Sequence, residues 1–129
     1  MVTIATVLAG LIGVGIIAIG IRAFFTPRGA AGFGIPDTPT EDPTFQSWLT
    51  VKAVRDIGSG VFVFVMMIAA TPAVLGWYML ACSGIPFGDA AIVLRAKGPR
   101  AVAYGVHAAT ALVMVAISLV LLIVPGQAS

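Results

Sequence analysis

The chain has 129 residues, of which 60% are hydrophobic and only 9% are charged, and its mean hydropathy is +1.10. Soluble proteins carry charge on about a quarter of their residues, so this composition predicts an integral membrane protein. Seven Lys and Arg residues are too scattered for a nucleic-acid-binding surface, and one cysteine excludes a disulfide scaffold. With one cysteine and one histidine, the chain has too few ligands for a structural zinc site, and we expect no metal or other cofactor.

Charges and prolines divide the chain into four apolar segments that are long enough to cross a bilayer, which requires about 20 residues each. The predicted spans are residues 2–25, 46–71, 73–94 and 101–124. The first has no charge before Arg22, whereas the second is uninterrupted only after Asp56. Successive spans cross the membrane in opposite directions, so neighbouring helices are antiparallel. We therefore predict an all-α, polytopic membrane protein whose four transmembrane helices form a single antiparallel bundle in the lipid bilayer.

Residues 26–45 form one long connection, rich in Pro and Gly and punctuated by Phe33, Ile35 and Phe45. Two interpretations are open: an ordinary solvated connector, or a lid that re-enters the membrane interface. All Lys and Arg residues lie on the side of the membrane that holds this loop, namely Arg22, Arg28, Lys52, Arg55, Arg95, Lys97 and Arg100. The positive-inside rule places this side in the cytoplasm and both termini outside, in the inner or plasma membrane of the cell.

Antiparallel threading brings the ionisable residues of three helices to a similar depth on the loop side. Lys52 and Asp56 lie one turn apart on the second helix, with Arg55 beside them. A rise of 1.5 Å per residue places Asp89 and His107 about 8 to 9 Å inside the third and fourth helices. Charges at this depth cost several kcal/mol unless they are paired or hydrated. We therefore expect these five residues to face one another or a cavity that opens to the cytoplasm.

Acid–base chemistry on a small lipophilic molecule, as in an isomerase or a cyclase, is one function that such a pocket suggests. Asp56 or Asp89 would donate a proton and His107 would remove one. The absence of nucleotide-binding motifs and of a His pair for haem argues against redox chemistry. The residues predicted to bind the molecule are Trp48, Lys52, Arg55, Ser59 and Thr110.

Other functions fit the same residues. In a binding or transport subunit, cations would hold an anionic lipid headgroup at the cytoplasmic leaflet; the candidates are Lys52, Arg55, Arg95, Lys97 and Arg100. In a purely structural protein, the ion network would only hold four helices in register. Small residues on the first helix suit close helix crossings, within the chain or in a homo-oligomer; they are Thr6, Gly10, Gly13 and Gly20.

Three short motifs carry the ionisable residues. They are a Lys-x-x-Arg-Asp-x-x-x-Gly run (Lys52, Arg55, Asp56, Gly60), a Pro-x-x-Asp run (Pro86, Asp89) and a His followed by Thr-Ala (His107, Thr110, Ala111). In this order the chain resembles a family of small four-span membrane proteins catalogued only as a domain of unknown function. The resemblance covers most of the chain and implies no settled activity, although some such proteins resemble small membrane enzymes of natural-product pathways. One departure is Ala108, which follows His107 where the family pattern has Gly and would tighten the pocket beside the imidazole.

Overall fold

A computed structural model describes residues 1–124, which contain helices and no strand. The long helices are α1 (Val2–Phe25), α2 (Pro43–Ala69), α3 (Pro72–Arg95) and α4 (Arg100–Ile123). A 3₁₀ helix, Pro27–Phe33, begins the loop between α1 and α2. The predicted all-α architecture is therefore confirmed.

Side-chain caps and prolines set the beginnings of α2 and α3. The Asp42 carboxylate accepts a hydrogen bond of 2.7 Å from the backbone N–H of Phe45, so α2 begins at Pro43, three residues before the predicted position 46. The hydroxyl oxygen of Thr71 accepts from the N–H of Val74 at the start of α3. Proline follows each cap, where its missing N–H is not needed.

Three helices, α1, α3 and α4, are long and apolar enough to cross a membrane. The prediction of a fourth such segment is wrong for α2 as judged by composition. Every stretch of 18 residues within α2 contains Lys52, Arg55 and Asp56, which is more charge than a membrane-spanning segment normally carries. The polar residues expected to form a site are thus the ones that lower the apolar character of this helix.

The helices pack as two hairpins, α1 with α2 and α3 with α4, and α1 also contacts α4. Glycine allows the close approach of α1 and α2. A Cβ atom at Gly60 would lie 2.6 Å from the carbonyl oxygen of Gly13, and one at Gly20 would lie 2.8 Å from that of Ala53. Three glycines of the small-residue stripe, Gly10, Gly13 and Gly20, therefore face α2 of the same chain.

The apolar core occupies the half of the bundle that lies away from the long loop. Its buried residues come from the first half of α1 and α3 and from the second half of α2 and α4: Ala5, Ala9, Val63, Leu75, Met79, Met114, Ile117 and Leu121. Because consecutive helices run in opposite directions, these segments meet at one end. The other end of the bundle holds the ionisable residues.

Candidate functional site

The long loop folds back onto the bundle. Its 3₁₀ helix ends at Phe33, and Gly34 follows in the left-handed region with φ of 109°, which favours glycine. Gly34 is buried, and its carbonyl oxygen faces Gly98 in the turn between α3 and α4 so closely that a Cβ on Gly98 would overlap it. Residues 33 and 34 of the loop are therefore docked on the bundle, while most of the other loop residues are exposed.

His107 is buried and contacts Phe33 of the docked loop in two ways. Its Nε2 lies 2.8 Å from the carbonyl oxygen of Phe33, and the two ring centroids are 4.4 Å apart. A carbonyl oxygen only accepts, so Nε2 carries the hydrogen of this bond. In the neutral imidazole, Nδ1 is then left as an acceptor.

A π-helical turn, Ala103–Ala108, interrupts α4 around His107. Such turns accommodate one extra residue in a helix and occur frequently at functional sites. The continuous apolar pattern predicted for residues 101–124 contains no signal for this turn. The π-helical turn changes the direction in which the side chains of α4 point near His107.

Lys52 and Asp56 form an ion pair on α2, with Nζ 2.5 Å from Oδ2. The Asp56 side chain is only 13% exposed, whereas that of Lys52 is 43% exposed. The Lys52 ammonium also lies 5.7 Å from the centroid of the Phe33 ring, within the range of a cation–π interaction. Phe33 thus connects the α2 ion pair to the α4 histidine.

Asp89, on α3, completes the cluster. It is half-buried, and the charged groups whose fields act on its carboxyl are those of His107, Lys52 and Asp56. Within residues 1–124 its carboxylate has neither a hydrogen bond nor an ion pair. We call the set of Lys52, Asp56, Asp89 and His107 the polar layer.

Other predicted site residues lie outside the polar layer. Arg55 is exposed and its guanidinium reaches only a backbone carbonyl of its own helix, and Trp48 is 70% exposed on the outside of α2. The hydroxyls of Ser59 and Thr110 each donate to the carbonyl one turn earlier in their own helices. The expected place of Arg55 beside Asp56 is therefore corrected, because a neighbouring position on a helix points about 100° away.

Phe33 and Tyr78 take part in the site region, although neither was predicted to do so. The only sequence signal for Phe33 is an aromatic residue within a Pro- and Gly-rich loop. The Tyr78 hydroxyl donates a hydrogen bond of 2.8 Å to the carbonyl oxygen of Ser59. This bond joins α3 to α2 on the side of the polar layer that faces away from the long loop. No local pattern marks this contact.

A groove of about 600 Å³ runs between the docked loop and the α3–α4 turn, beside Gly34 and Val102. Asp37 and Lys97, the non-glycine residues of positive φ in the described chain, both line it. No group of three or more His, Cys, Asp or Glu residues in residues 1–124 is arranged to hold a metal ion.

A family model described as a domain of unknown function, DUF4267, matches residues 13–121. This range includes the whole polar layer and Phe33. The predicted resemblance to a family of that description is confirmed. No curated protein and no solved structure matches the chain.

Proposed function

The chain belongs to the DUF4267 family, and we propose that it binds a small amphipathic molecule at the polar layer. The observation that carries this proposal is Asp89. Lys52 and Asp56 pair with each other and His107 contacts the loop, but the half-buried Asp89 carboxylate has no partner in the described residues. A ligand whose polar end meets Asp89 and whose apolar part lies among the helices would satisfy it.

We further propose that α2 crosses the membrane as a fourth span. It packs closely along α1, at Gly60 against Gly13 and at Ala53 against Gly20. A helix paired along its length with a membrane-spanning helix lies at the same depth. The Lys52–Asp56 ion pair reduces the charge that α2 would place there, and the long Arg55 side chain can extend towards the interface.

The charge distribution supports an orientation with the loop in the cytoplasm and both termini outside. The cations of the helix ends and turns gather at the loop end of the bundle: Arg22, Arg28, Arg95, Lys97 and Arg100. By the positive-inside rule this end is cytoplasmic, in the plasma or inner membrane. The polar layer would then open to the cytoplasmic side.

Acid–base chemistry on the bound molecule is the catalytic form of this proposal. Asp89 in its protonated form would donate a proton to an alkene or carbonyl, and Nδ1 of His107 would remove one elsewhere on the same molecule, giving an isomer. Lys52 would help to orient an oxygen atom. Asp56 is less suited to be the acid because it is already paired with Lys52.

Native mass spectrometry of the protein released from nanodiscs tests binding at the polar layer. We expect a discrete bound mass with the wild type that is lost in Asp89→Asn. Arg55→Ala is the matched control, because it also removes a charge at this level but from the exposed surface, and it should keep the ligand. No bound mass in the wild type, or its retention in Asp89→Asn, would contradict the proposal.

A second candidate is a site for anionic lipid headgroups. Arg95, Lys97 and Arg100 are exposed and have no ion pair in the part of the chain that the structure describes. Clustered cations at the cytoplasmic end of a bundle attract anionic lipids. In that case anionic phospholipid would co-purify with the wild type and with Asp89→Asn but would be reduced in a Lys97→Ala, Arg100→Ala double variant. Equal retention in both variants would exclude this candidate.

A further inference from the structure

We infer that the molecule bound at the polar layer carries a positive charge, as a lipophilic amine does. This inference rests on the proposed binding function and names its ligand class; it takes the place of the catalytic form, because an ionised Asp89 paired with an ammonium group cannot donate a proton. It follows from the charged residues that lie in the polar layer, Lys52, Asp56 and Asp89, and from Arg55, which lies outside it.

The polar layer contains one carboxylate, that of Asp89, without an ion-pair partner in residues 1–124. Lys52 pairs with Asp56, so it is not available as the ion-pair partner of Asp89. His107 uses its Nε2 hydrogen on the Phe33 carbonyl and forms no ion pair within the described residues. The sequence predicts Arg55 as a second cation of the polar layer, but in the structure its side chain lies on the exposed face of α2.

An unpaired charge at this depth is unfavourable until an opposite charge joins it. A carboxylate or phosphate ligand would add a second unpaired negative charge, and a neutral alcohol would leave the first one uncompensated. An ammonium group brings the missing charge and three N–H donors, and a carboxylate accepts such donors in strong, charge-assisted hydrogen bonds. Asp89 is therefore the expected contact of the ligand nitrogen.

The aromatic ring of Phe33 favours the same ligand class. Its centroid already lies 5.7 Å from the Lys52 ammonium, so the loop brings a cation-attracting surface into the layer. Phe33 belongs to the loop rather than to a spanning helix, and it borders the layer next to His107. This observation is independent of the charge count.

A proton bound by the Asp89 carboxylate would supply the same charge. An amine would then displace that proton, so its binding should weaken as the pH falls. The groups that determine this competition are Lys52 and Asp56 on α2, Asp89 on α3 and His107 on α4; the loop contributes the uncharged Phe33.

Three amphiphiles with the same chain test the inference: dodecylamine, dodecanol and dodecanoate, titrated into the full-length protein in phosphatidylcholine nanodiscs. We expect saturable binding of dodecylamine that weakens about ten- to a hundredfold in Asp89→Asn, the effect of losing one charge-assisted hydrogen bond. Asp89→Glu keeps the charge and should keep the binding. Asp37→Asn, which removes an exposed acid from the loop, is the matched control and should bind as the wild type does.

The outcomes separate the inference from the function on which it rests. Tighter or equal binding of dodecanol or dodecanoate at an Asp89-dependent site would overturn the positive charge but keep the binding function. A further outcome is that none of the three amphiphiles binds saturably, while the pH dependence of stability differs between the wild type and Asp89→Asn. This result would mean that a proton, not a ligand, compensates Asp89, and it would overturn the inference. Circular dichroism shows whether Asp89→Asn still folds. If it does not, binding of dodecylamine by Asp89→Glu, which keeps the charge, is compared with that of the wild type, and loss of binding in Asp89→Glu would contradict the inference.

Discussion

Lys52 and Asp56 depend on each other more than on the rest of the bundle. The aspartate is largely buried, and its partner lies one helical turn away with its ammonium under the Phe33 ring. An ion pair of this kind adds little stability by itself, but removing one member leaves the other charge without compensation. The Lys52 side chain is partly exposed, and solvent moderates that penalty.

Lys52→Met should lower the free energy of unfolding by about 2 kcal/mol, because it leaves Asp56 and Asp89 as neighbouring unpaired acids. Adding Asp56→Asn to the same chain should restore part of the loss. Reversible unfolding in mixed detergent micelles measures both changes. Arg55→Ala is the control and should change stability by less than about 0.5 kcal/mol, as exposed substitutions do. Strict additivity of the two substitutions would mean that the pair is not coupled.

Phe33 is the residue through which the loop contacts both the ion pair and the histidine. Phe33→Ala removes the ring and keeps the carbonyl that accepts from His107. We expect a loss of about 1 to 2 kcal/mol in stability, from the lost ring contacts and the cation–π interaction. Thermal unfolding in nanodiscs is the measurement. Phe25→Ala, at a side chain that is 83% exposed, should have a smaller effect, and equal effects would rule out a special role for Phe33.

At the scale of elements, the α1–α2 hairpin depends on backbone approach at glycine. A Cβ at Gly60 would lie 2.5 Å from Cγ1 of Ile17 and 2.6 Å from the carbonyl oxygen of Gly13. The backbone of α1 cannot move away without separating from α2. A Cβ at Gly58, two residues earlier, would meet nothing within 4 Å.

Gly60→Ala should therefore destabilise the protein by about 1 to 3 kcal/mol, as overpacking does. Gly58→Ala should be neutral or stabilising, because alanine favours helix and meets no obstacle there. Thermal unfolding of the two variants in the same detergent compares them directly. Similar melting temperatures for both would mean that α1 and α2 do not approach as closely as described.

Docking of the loop is a second property of an element. Gly98→Ala would place a methyl group against the Gly34 carbonyl, and we expect the loop to separate from the α3–α4 turn. Amide hydrogen exchange should then increase across residues 31–38 while the spans stay protected. Gly32→Ala is the control, since a Cβ there meets nothing within 4 Å. Unchanged exchange in Gly98→Ala would show that docking does not depend on this contact.

At the scale of the whole molecule, the orientation proposed from the cations is open to a labelling experiment. In a Cys82→Ser background, Thr3→Cys should react with an impermeant maleimide added to intact cells. Asp37→Cys, in the loop, should react only after the membrane is permeabilised. The reverse pattern would place the loop outside and would contradict the positive-inside assignment.

The four long helices, their approximate ends and the level of the ionisable residues along them follow from the sequence alone, whereas the 3₁₀ helix of the loop does not. Apolar length and capping residues act locally, and a constant rise per residue converts position in the chain into depth. For this reason Lys52, Asp56, Asp89 and His107 could be assigned to one layer before any contact was known. The same local reasoning indicated an unusual loop but not where Phe33 would lie.

Only the tertiary structure decided which of these side chains meet. Depth follows from the rise of a helix, but the direction of a side chain around the helix axis has meaning only relative to a packed neighbour. Arg55 lies at the depth of the polar layer, but its side chain points away from it to the exposed face of α2. The π-helical turn at His107 lies where α4 packs against α3. Gly10, Gly13 and Gly20 of α1 likewise pack against α2, whereas Gly15 does not. These contacts join residues distant in the chain, so no local pattern contains them.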